Sequence, residues 1–66
     1  MNLIINGENH TLDKVISFSE LLNHLKIENK NIVIEANGEI INKTDIENRF
    51  IEDKMVIEII KFVGGG

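Results

Sequence analysis

The sequence predicts an α+β domain, a mixed sheet of about five strands crossed by one main helix and accompanied by a short helical turn. Three observations predict it. Two β-branched runs each turn back on an Asn-Gly dipeptide, at Asn6-Gly7 and Asn37-Gly38. One capping box, Ser17-Phe18-Ser19-Glu20, opens an amphipathic stripe between them. The longest apolar strand, Met55 to Phe62, comes last. At 66 residues there is room for one core only, and stability must come from dense packing of large aliphatic side chains, here chiefly isoleucine.

The first hairpin is read from its turn. Asn-Gly takes the positive φ angles of a two-residue type I′ turn. With Asn6 and Gly7 as that turn, Ile5 faces Glu8, Ile4 faces Asn9, Leu3 faces His10 and Met1 faces Leu12. Pleat alternation then gives Met1, Leu3, Ile5 and Leu12 to the core face and leaves Ile4 on the opposite face with Asn2, Asn9 and Thr11. The helix follows from Ser17, where Phe18, Leu21, Leu22 and Leu25 form one stripe while Glu20, Asn23 and Lys26 fall outside it. So short a helix is marginal alone and must lie on a sheet.

The second hairpin runs from Asn31 to Ala36, turns at Asn37-Gly38 and returns through Glu39-Ile40-Ile41. The same arithmetic pairs Ile34 with Ile41 and Glu35 with Ile40, so Ile32, Ile34 and Ile41 share a face. Thr44-Asp45-Ile46-Glu47 reads as another capping box, opening a helical turn that ends near Arg49. In the last strand Met55, Ile57 and Ile59 alternate with Val56, Glu58, Ile60 and Phe62. Apolar residues on both faces mark a central strand. One helix bridging two hairpins, with the final strand inserted beside the first, is a β-grasp or ubiquitin-like roll. The domain is expected to occupy residues 1–62 and to be followed by a flexible tail at 63–66.

Composition excludes several kinds of function. A net charge of −4 speaks against nucleic acid as a partner. No apolar run approaches the ~18 residues of a membrane span, no signal-peptide pattern stands at the start, and the absence of cysteine removes disulfides, thiolate nucleophiles and thiolate metal sites. A reducing, cytoplasmic setting is expected. His10 and His24 lie on different elements with no partner at ligand spacing, and the glutamates are spread along the chain, so no metal and no side-chain catalytic set is expected. Both Asn-Gly glycines precede strands and belong to turns, not to phosphate loops.

Two features remain. The chain ends Phe62-Val63-Gly64-Gly65-Gly66, and three glycines cannot pack or hold one conformation. At roughly 3.3–3.6 Å per extended residue, Val63 to Gly66 could carry a carboxylate about 13 Å or more beyond the body, into a channel too narrow for side chains. That carboxylate, an anion at neutral pH, is able to attack the α-phosphorus of ATP. The other reading of the same residues is a disordered end without function. The second feature is Ile4, Ile60 and Phe62, all on the outer sheet face by alternation, which form an apolar patch if exposed and ordinary rim residues if not.

With strand order, size and glycine end in hand, the sequence resembles the sulfur carrier proteins of the β-grasp superfamily, most closely the thiamine-biosynthesis sulfur carrier family, ThiS. The matching residues are Asn37-Gly38-Glu39 followed by Ile40-Ile41, then Ile57-Glu58-Ile59, and the ending Val63-Gly64-Gly65-Gly66. Where ThiS-like chains commonly carry Pro-Arg, a following aromatic and a Gly-Asp turn, this sequence has Asn42-Lys43, Ile46 and Lys54-Met55. The resemblance implies a protein cosubstrate and no enzyme. An E1-like adenylyltransferase (ThiF-like), using ATP and Mg²⁺, would adenylate the Gly66 carboxylate with Gly64, Gly65 and Gly66 in its active site. Sulfur originating from a cysteine desulfurase would convert it to a thiocarboxylate, for thiazole synthase (ThiG-like) to use in thiazole formation. Ile4, Ile60, Phe62 and Val63 would dock the partner. A molybdopterin-synthase small subunit, a ubiquitin-like modifier and a plain interaction module stay open as alternatives.

Overall fold

In the computed structural model, which describes residues 1–62, both Asn-Gly pairs adopt the left-handed backbone that type I′ turns require: φ is 50° and 81° at Asn6 and Gly7, and 50° and 84° at Asn37 and Gly38. These turns join β1 (Asn2–Ile5) to β2 (Glu8–Thr11) and β3 (Ile32–Ala36) to β4 (Glu39–Ile41). The registers are those the turn arithmetic predicts, Leu3 opposite His10 and Ile34 opposite Ile41. Between the hairpins lies α1 (Phe18–His24), and after β4 come α2 (Lys43–Asn48) and β5 (Val56–Lys61).

The sheet order is β2-β1-β5-β3-β4. Thus β5 is central, parallel to β1 with Ile4 opposite Val56, and antiparallel to β3 with Ile34 opposite Ile59. This is the predicted β-grasp roll. The ladder passes the strand ends, since the Phe62 N–H donates to the Asn31 carbonyl at 2.8 Å. Residues 63–66, the expected tail, lie outside the described residues.

Burial follows the predicted faces. Leu3, Ile5, Ile34, Ile41, Met55 and Ile57 are buried on the inner side of the sheet, and Phe18, Leu21 and Leu22 of α1 close over them. Among the described residues no helix is long and apolar enough to cross a membrane.

The first capping box forms in full: Ser17 Oγ accepts from the Glu20 N–H at 3.1 Å, and Glu20 Oε1 accepts from the Ser17 N–H at 3.0 Å. The second does not. Asn42, extended at φ −68° and ψ 153°, is the N-cap of α2, and no side chain caps that helix. The Asn42 carbonyl already accepts from Asp45 at 2.9 Å, so Thr44 lies inside the helix, where its spacing to Glu47 has no capping role.

Candidate functional site

The two Asn-Gly turns hold β5 by a device their backbone angles do not reveal. Asn37 donates its N–H to the Val56 carbonyl at 2.8 Å, and its Oδ1 accepts from the Val56 N–H at 2.9 Å. On the other edge Asn6 donates to the Ile57 carbonyl at 2.9 Å while its Oδ1 accepts from the Ile59 N–H at 2.8 Å. Each side-chain oxygen takes the place in the ladder that a strand residue's own carbonyl would fill, just where the chain turns away. Tied along both edges, β5 fixes the position of Phe62, the residue from which 63–66 continue.

The outer face of the sheet, opposite the helices, is open. Relative exposures on it are 39% for Ile4, 43% for Val56, 48% for Ile60 and 55% for Phe62. Large apolar side chains grouped on one face of a small domain make that face a candidate interaction surface. The register sets Ile4 beside Val56, whereas Ile60 lies farther along β5 opposite Val33, on the Phe62 side. Ile40, also exposed, stands opposite Glu35 on β4. Alternation alone finds Ile4, Ile60 and Phe62; placing Val56 next to Ile4 also needs the parallel register of β1 and β5, which no local signal encodes. Phe50 and Val15 are exposed too, on connections where no strand period applies.

Between the two apolar groups sit Glu35 and Glu58, directly opposite each other on β3 and β5. Elsewhere Arg49 reaches Glu39 at 2.6 Å and ties the end of α2 to β4. This hydrogen bond, with the charge of Glu39, raises the Arg49 pKa, against a smaller opposing effect of burial. His24 is exposed at the end of α1 and His10 half-buried on β2. No group of three or more His, Asp or Glu among the described residues is placed to hold a metal ion. Gly64, Gly65, Gly66 and Val63, the other expected site residues, lie outside the described residues.

The ThiS family model matches residues 3–66. The sulfur carrier protein ThiS of Bacillus subtilis is 42% identical over 50 residues, covering 76% of each chain. A crystal structure of the thiamine biosynthesis protein ThiS from Geobacter metallireducens superposes with a TM-score of 0.84 at 32% identity and covers 100% of both chains. A thiazole synthase of Paramagnetospirillum magneticum is 32% identical over 66 residues, all of this chain but only 20% of that longer protein.

Proposed function

The chain belongs to the ThiS family, and on that premise we propose that it carries sulfur for thiamine biosynthesis, as a protein cosubstrate and not as a catalyst. The Gly66 carboxylate is the reacting group. Its oxygen attacks the α-phosphorus of ATP, bound with Mg²⁺ in an E1-like adenylyltransferase, and pyrophosphate leaves. A persulfide sulfur that originates from a cysteine desulfurase attacks the acyl carbon and expels AMP. A thiol then reduces the sulfur–sulfur bond with two electrons, and Gly66 ends as a thiocarboxylate whose sulfur passes to thiazole synthase.

The observation that carries this reading is the family match itself, because it spans the β-grasp body and the glycine end together. Two others support it. A strand tied along both edges gives the tail a fixed point of departure, which lowers the entropy to be lost when the terminus is oriented for reaction. A thiazole synthase that contains a stretch similar to this whole chain points to thiazole synthase as a partner, since covalent linkage raises the effective concentration of domains that work together.

Intact mass of the protein isolated from its own host tests the proposal. A gain equal to the difference between sulfur and oxygen, located on the C-terminal peptide, is expected. A conjugate to another protein's lysine would mean a modifier instead, and an unaltered mass under thiamine starvation would overturn the carrier reading.

A further inference from the structure

If the activating enzyme of the proposed function docks on the outer sheet face, as the sequence resemblance implies for Ile4, Ile60 and Phe62, the glutamates in the middle of that face are covered with it. Glu35 and Glu58 are cross-strand neighbours, whose Cβ atoms stand roughly 4.5–5.5 Å apart by the geometry of such pairs. Like charges in that relation repel. Among the described residues no lysine or arginine makes an ion pair with either of them, the salt bridge present being Arg49 to Glu39. Around them are exposed apolar side chains: Val56 and Ile60 along β5, Ile40 beyond Glu35 on β4. A wholly apolar partner could cover those side chains only by stripping water from two unpaired carboxylates, which costs more than the apolar contact returns.

We propose that the surface fitting this face is apolar with an arginine at its centre, whose guanidinium lies between Glu35 and Glu58. A planar fork of five N–H donors can serve two carboxylates at once, whereas a lysine offers a single strongly hydrated charge. The pair then acts in recognition. It excludes apolar surfaces that lack the cation, among them the same face of a second copy, which would bring four carboxylates together. The apolar groups supply contact area, and the acidic pair sets partner identity and the register of docking.

The inference rests on the docking reading, and the test separates the two. Glu35→Gln/Glu58→Gln and, separately, Phe62→Ala are titrated into the cognate activating enzyme by calorimetry at low and at high salt, with circular dichroism melting of the free domain as a control. The double Gln variant is expected to melt no lower than the wild type, because a repulsion has been removed. Its affinity at low salt is expected to fall tenfold or more, with most of the salt dependence lost. Unchanged or tighter binding by the Gln variant, with Phe62→Ala weakened, leaves the docking face in place and overturns the arginine. Unchanged binding by both variants removes the docking face and the proposal with it.

Discussion

Asn6 and Asn37 each serve two ends that only the short Asx side chains combine, Asn better than Asp. The αL backbone suits Gly and Asn and is tolerated by Asp, and the Oδ1 acceptor needs Asn or Asp. Replacing Asn37 by Gly keeps the turn but frees the Val56 N–H to water and adds chain entropy, for an expected loss of about 1–2 kcal/mol. Asn37→Asp retains the acceptor and should lose much less. Urea unfolding of both variants checks this, and equal stability of the two would mean that the side-chain bond contributes nothing. At the same scale, the proposed function predicts that Gly65→Leu reduces ATP–pyrophosphate exchange with the activating enzyme far more than it affects the melting curve, because that reading requires the terminus to enter a channel too narrow for side chains. Wild-type exchange by that variant would show the channel to be wide. The turns themselves are legible in the sequence, since Asn-Gly between β-branched runs is a local signal. The bonds from Asn6 and Asn37 to β5 are not, because their partners lie 53 and 19 residues away and only the folded sheet brings them together.

The elements are legible where a local pattern coincides with a geometric need. Ser17 stands at the entry of α1 and its box closes, whereas Thr44 has the same spacing but sits past the N-cap, because the exit from β4 starts α2 at Lys43. Two element ends also carry residues that strain them. Helix α1 finishes in a Schellman motif, with the Ile27 N–H on the Leu22 carbonyl at 2.9 Å and the Lys26 N–H on the Asn23 carbonyl at 3.1 Å. That geometry puts Lys26 at φ 59°, and the turn before β5 puts Lys54 at φ 66°. The second position is the one where the family pattern has glycine, so the departure noted in the sequence is a backbone cost. Lys26→Gly and Lys54→Gly should each raise stability by about 0.5–1 kcal/mol, the relief of αL strain outweighing the added chain entropy. For so small a domain that is a rise in Tm of about 2–8 °C. A lower Tm for either variant would show that the lysine side chain contributes more by packing than its backbone loses.

At the scale of the molecule the decisive fact is that β5 lies between the two hairpins and touches both. Its central place was legible from apolar residues on both of its faces. The layout of the outer face was legible only in part, since which residues of β1 and β5 adjoin is set by a parallel pairing between the two ends of the chain. Each hairpin alone is at best marginally stable. A chain ending at Met55 should therefore be unfolded by circular dichroism, and adding a peptide with the β5 sequence should restore the native spectrum. A cooperative melt of the truncated chain on its own would contradict this. The order of synthesis gives the same topology a further meaning. The strand that completes the sheet leaves the ribosome after both hairpins, so a product released before it has two hairpins and no centre, and is open to proteases. Folding thereby acts as a proofreading step: a chain that survives in the cell has been translated through β5, the strand that both hairpins need.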